Sequence, residues 1–170
     1  VQYLETMVER VAALNEREIA GLNVFRSFVA RCAECHTPPL FTNGQVAVIG
    51  APEPAGHAFD AGAEKTFHAT KLRGGFKVPT LRNIARTAPY MHNGYFTTLR
   101  GAVAFYNDRD VRKRCPQDLP EAEANRRKCW PAPEVAANVN TDELGRLGLG
   151  EREVDDIVAF LRTLDDGYLK

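Results

Sequence analysis

The chain has 170 residues and a mass of 18.9 kDa, with 44% hydrophobic and 26% charged residues. That composition suits one globular domain of moderate size and argues against fibrous repeats and wholesale disorder. Twenty-two Lys+Arg balance twenty-two Asp+Glu, which argues against a nucleic-acid binder held by phosphate contacts, and no apolar run reaches the roughly 18 residues of a membrane span.

The chain opens on Val1, and no basic start followed by an apolar core marks a signal peptide. Residues 1–15 read as a helical lead-in, with Leu4, Met7, Val8, Val11 and Leu14 on one face. A chain that opens inside a helix looks like part of something larger. Residues 1–15 are therefore expected to end a preceding domain, and 16–170 to form the domain proper. A second helix is expected from about Glu16 to Arg31, capped by Asn15 with Glu18 completing a capping box. Ile19, Leu22, Phe25, Phe28 and Val29 make its apolar stripe.

From Thr37 to Pro89 the periodicity disappears, and Pro and Gly punctuate the segment throughout. More than fifty residues without helix or strand pattern is unusual inside a compact domain, unless the loops wrap something other than protein. Thr98 can cap a third helix, in which Leu99, Ala102, Val103 and Tyr106 share a face. Residues 108–140 are polar and hold Cys115 and Cys129. Gly148 and Gly150 precede the clearest helix, with Val154, Ile157, Val158, Leu161 and Leu164 facing a core. No segment alternates as a strand, so the expected fold is all-α with long irregular loops.

Cys32-Ala33-Glu34-Cys35-His36 reads C-x-x-C-H, the attachment signature of c-type haem. Thiols at i and i+3 can form thioethers to both vinyl groups of one porphyrin, and the following histidine supplies the proximal iron ligand. A redox C-x-x-C needs a thioredoxin-like βαβ setting, which is absent from the pattern. A zinc site needs a second close ligand pair, whereas Cys115 and Cys129 stand fourteen positions apart. One covalent haem c makes the chain a c-type cytochrome domain with its loops around that haem. Haem attachment takes place outside the cytoplasm, where a Cys115–Cys129 disulfide closing the polar insertion at about 108–140 is expected. Trp130 beside it reads as a loop anchor.

The sixth iron ligand decides the chemistry: methionine suits electron transfer, a phenolate stabilises oxidised iron, and a vacancy admits peroxide. Met91 lies fifty-five residues after His36, far enough for the chain to cross to the other porphyrin face. His92 is a candidate pocket hydrogen-bonding residue, while His57 and His68 lie in loops expected to be solvated.

The stretches Phe76 to Asn83, Thr87 to Gly94 and Leu99 to Asn107 closely resemble the C-terminal haem domain of the bacterial di-haem cytochrome c peroxidase and MauG family. Cys32 to Phe41 and the helix ending Ala159-Phe160-Leu161 fit as well. The resemblance covers roughly 16–107 and 141–167 and leaves 108–140 outside the common pattern. Family members carry two c-type haems in two similar domains. With one C-x-x-C-H, this chain resembles the electron-transfer half, and the partner it implies is an N-terminal haem domain or a separate redox protein. The family's distal ligand lies fourteen positions beyond the histidine matching His92, which is Tyr106 here. The resemblance thus points to Tyr106 and generic cytochrome chemistry to Met91; Tyr106 is favoured, with Phe105 and Leu99 lining the same pocket. The family also binds calcium through carbonyls matching Thr87 and Pro89, and any calcium here is expected to be weak or lost. The alternatives kept open are a self-sufficient mono-haem peroxidase, a free His/Met electron carrier in the periplasm, and a haem-free module held by disulfides.

Overall fold

Asn15 starts the first described helix, α1 (Glu16–Phe25), by the expected reciprocal cap: its side chain accepts from the Glu18 N–H at 3.1 Å, and Glu18 accepts from the Asn15 N–H at 2.8 Å. This computed structural model describes residues 13–166, so nearly all of the expected lead-in helix lies outside the described residues. After α1 come α2 (Cys32–Cys35), β1 (Val46–Ala47), α3 (Glu64–Phe67), β2 (Phe76–Lys77), α4 (Leu99–Asp108), β3 (Lys113–Arg114), α5 (Glu121–Arg126), β4 (Cys129–Trp130) and α6 (Glu151–Arg162). Single 3-10 turns stand at Thr70–Leu72 and Ile84–Arg86.

The all-α expectation is corrected by this architecture. Helix makes up only about 34% of the structure. The described residues also hold two small sheets: β1 pairs antiparallel with β2, and β3 pairs parallel with β4. Each strand is two residues long, too short for a period-two pattern to register in sequence. The remainder is irregular backbone, as the Pro and Gly content demands.

The expected Glu16–Arg31 helix also ends early, at Phe25. Ser27 is the local reason. Its hydroxyl accepts the Ala30 N–H at 3.1 Å, which offers the backbone an alternative to continuing the helix. Phe28 and Val29, expected on the buried stripe, are instead 93% and 57% exposed.

The core has two connected parts. In one, α1 crosses α6 closely at Gly21, where an added Cβ would lie 1.8 Å from the Asp156 carbonyl oxygen and 2.9 Å from Phe160 Cβ. Phe25, Phe41 and Phe160 meet there in pairwise contacts of 5.3–6.1 Å. Arg17 pairs with the buried Asp156 at 2.8 Å. In the other, Phe96, Phe105 and Trp130 are fully buried against one another at 5.0–5.7 Å. The stripe of α6 joins the two, with Val154, Ile157, Val158, Phe160 and Leu161 all buried.

The Cys115–Cys129 disulfide is formed, with Cα atoms 5.1 Å apart. The segment it closes is less detached than its polarity suggests, since Trp130, Ala124 and Leu119 are buried in the core. No described helix is long and apolar enough to cross a membrane.

Candidate functional site: a thiol-imidazole motif facing a phenol and a thioether

One wall of the site is the single-turn helix α2. Arg31 enters it in the left-handed region at φ 53°, and His36 ends it. One turn sets Cys32 and Cys35 on the same face. Both are free thiols and half-buried. Loss of water pushes the Cys32 thiol up to about 12. Burial raises Cys35 as well, with the Glu143 and Glu34 carboxylates adding to it. Both therefore stay protonated near neutral pH. That is the reverse of the low-pKa thiolate a redox C-x-x-C requires. No group of three or more His, Cys, Asp or Glu that could hold a metal ion occurs among the described residues.

His36 is oriented by the core. Its Nδ1 lies 3.1 Å from the Phe41 carbonyl, and a carbonyl only accepts, so Nδ1 carries the proton. In the neutral ring Nε2 then carries the lone pair. Burial lowers the imidazole's pKa, opposed by the Phe41 and Pro79 carbonyls. The Phe41 ring packs between Phe25 and Phe160, which ties the imidazole to the α1–α6 crossing.

The facing wall comes from α4 and the loop before it. The Tyr106 hydroxyl donates to Met91 Sδ at 4.0 Å, so both sequence candidates for the distal position occupy one place. Burial raises the phenol's pKa, the nearby Cys32 and Cys35 add to the rise, and Arg109 opposes it. Phe41, Ile84, Met91, Val103 and Leu147 pack against the core yet remain half-exposed. Met91 itself has φ 68°.

Two free thiols one turn apart, an imidazole oriented through Nδ1, and half-exposed apolar side chains fit the thioether links, iron ligand and apolar surroundings of a c-type haem.

Other expected site residues lie elsewhere. Phe105 is in the core against Phe96 and Trp130, touching Tyr106 only edge-on at 6.5 Å, and Leu99 is buried in the same cluster. His92 stacks on Phe76 at 3.6 Å and meets the Glu134 carboxylate at 2.7 Å. Thr87 and Pro89 are exposed on the surface, as are His57 and His68. Trp130 donates its indole N–H to Asp108 at 2.8 Å and sits beneath the Arg112 guanidinium.

Sequence reading passed over Phe41 and Glu134 as individual residues. Phe41 follows His36 by five positions, and only the ring contacts show what its carbonyl is for. A glutamate in a Pro-rich stretch gives no signal that it will receive His92.

No family model matches the chain. It is 44% identical over 166 residues to methylamine utilization protein MauG of Paracoccus denitrificans, covering 86% of this chain and 41% of that protein. It is 29% identical over 180 residues to a cytochrome-c peroxidase of Denitromonas iodatirespirans, covering 90% and 41% respectively. The solved diheme peroxidase BthA of Burkholderia thailandensis matches with a TM-score of 0.71 and 32% identity, over 91% of this chain and 44% of that one. The chain thus spans about two fifths of the length of the curated relatives it matches. These likenesses support an oxidoreductase/peroxidase-like family. The chain belongs to the family of MauG and the di-haem cytochrome c peroxidases and corresponds to their C-terminal part.

Proposed function

We propose that this chain is a c-type haem electron-transfer domain, the C-terminal half of a di-haem peroxidase or MauG-like oxidoreductase. Cys32 and Cys35 would carry one haem through thioethers, His36 Nε2 would ligate its iron, and Tyr106 would supply the second protein ligand. When bound, the haem supplies a one-electron Fe(III)/Fe(II) couple. The protein's part is to hold that group and keep water from it. The Phe41 carbonyl holds the His36 proton at Nδ1 and so aims Nε2. Val103, one turn before Tyr106 on α4, lies on the same helix face and would help exclude water there. The redox partner is an N-terminal haem domain or a separate protein. The setting is periplasmic or otherwise extracytoplasmic, in keeping with the formed disulfide. The observation that carries this reading is the C-x-x-C-H turn itself, with two free, half-buried thiols one helical turn apart and His36 oriented through Nδ1.

The 4.0 Å approach of Met91 Sδ to the Tyr106 hydroxyl keeps a second reading in play, a His/Met electron carrier. Phenolate and thioether differ in charge, so the two readings differ in potential: an anion stabilises Fe(III) and lowers it. Tyr106→Phe should move the ferric spectrum toward a vacant or water-ligated site and raise the potential, while Met91→Leu should leave both nearly unchanged. A near-infrared sulfur-to-iron band in the wild type, abolished by Met91→Leu, would replace Tyr106 with Met91. A six-coordinate haem also predicts little turnover of hydrogen peroxide by this chain. Repeated turnovers with a reduced donor would favour a self-sufficient peroxidase instead.

A further inference from the structure

The segment after α4 grips that helix at both ends. At the N-terminal end, the carboxylate of Glu121 is only 4% exposed. It accepts the backbone N–H of Thr97 at 2.5 Å and of Thr98 at 3.2 Å. It also accepts the Thr97 hydroxyl at 2.6 Å and the Thr98 hydroxyl. A Cβ on Gly101 would lie 1.6 Å from Glu121 Oε1, so the carboxylate rests directly against the first turn of α4. An anion there also meets the positive end of the helix dipole. At the C-terminal end, Asp108 accepts the Trp130 indole N–H at 2.8 Å and pairs with Arg112 at 2.7 Å. Trp130 packs on Phe105, the residue before Tyr106. The Cys115–Cys129 disulfide closes the loop that carries Glu121 and ends beside Trp130.

We propose that Glu121 and this disulfide-closed loop are a positioning device for Tyr106. They fix the rotation and axial placement of α4 and thereby hold the phenol at the distal face. The inference rests on the reading of Tyr106 as distal ligand. Glu121 contacts neither Tyr106 nor the thiols by any observed bond, and acts through the helix. Four donors converge on one carboxylate, and these charge-assisted bonds are stronger than neutral ones. Glutamine keeps one acceptor oxygen but loses the charge, so it weakens this grip without abolishing it.

The test is a double-mutant cycle on the haem-loaded protein, read by the ferric spectrum and the reduction potential. Glu121→Gln is expected to move both partway toward the values of Tyr106→Phe. Added to Tyr106→Phe it is expected to shift them no further, because the group it positions is gone. The Cys115→Ser/Cys129→Ser pair should behave in the same way, and it carries the test if Glu121→Gln fails to fold. An equal shift of the potential in the Tyr106→Phe background, or wild-type values for both variants, would overturn the positioning role alone. If Tyr106→Phe itself leaves spectrum and potential at wild-type values, the ligand reading falls and this inference falls with it.

Discussion

The two walls of the site are built in opposite ways. The thiol-imidazole wall is one helical turn between residues of left-handed backbone, Arg31 and Phe41, beside the exposed Phe28 and Val29. Its side chains are half-buried, and one carbonyl from the core orients His36. The Tyr106 wall stands on a ten-residue helix whose inner face is core and whose two ends are bonded to the loop that follows it. The first wall is specified by chemistry, in three residue types at fixed spacing. The second is specified by packing, and Tyr106 is placed by neighbours far from it in sequence.

That contrast can be broken by substitutions that touch one wall and not the other. The largest effect is expected from Trp130→Ala, which empties the centre of the Phe96–Phe105 cluster. It should cost about 3–5 kcal/mol of stability in denaturant unfolding. Gly21→Ala comes next. Its Cβ would meet the Asp156 carbonyl and force α1 away from α6, at about 1–3 kcal/mol. Because Phe41 rests on that crossing, the loss should be accompanied by a disturbed His36 environment, seen as a shifted imidazole resonance. An undisturbed His36 would mean that the proximal wall stands independently of the core.

The smallest effect concerns the ion pair of Asp60 with Lys65. Lys65 and the Gly62 N–H hold the Asp60 carboxyl below its ordinary value. A depressed carboxylate contributes stability above its unfolded pKa of about 4 and loses it as the pH falls through the folded value. Asp60→Asn should therefore cost a few tenths of a kcal/mol at pH 6 and progressively less as the pH falls below about 4, in paired unfolding curves. A difference that grew toward acid would reverse the assigned sign.

The C-x-x-C-H motif, the caps at Asn15 and Thr98, the stripe of α6 and the disulfide were legible in the sequence, because each is a local pattern or a pairing of few candidates. The resemblance of residues 76–107 to the peroxidase family was legible for the same reason. The end of α1 was not, because the hydroxyl of Ser27 outcompetes helix continuation at that position. The two small sheets were missed because two-residue strands carry no period. Residues 108–140 read as a polar insertion by composition. A single tryptophan and a buried glutamate make them part of the core, and single residues leave no average signal.

Covalent haem attachment is the central claim, and haem staining of a denaturing gel tests it directly. The account predicts a stained band at the mass of the wild-type chain, since thioethers survive denaturation, and no stain once Cys32→Ser and Cys35→Ser are combined. A colourless wild-type band, from native protein without iron, would contradict it.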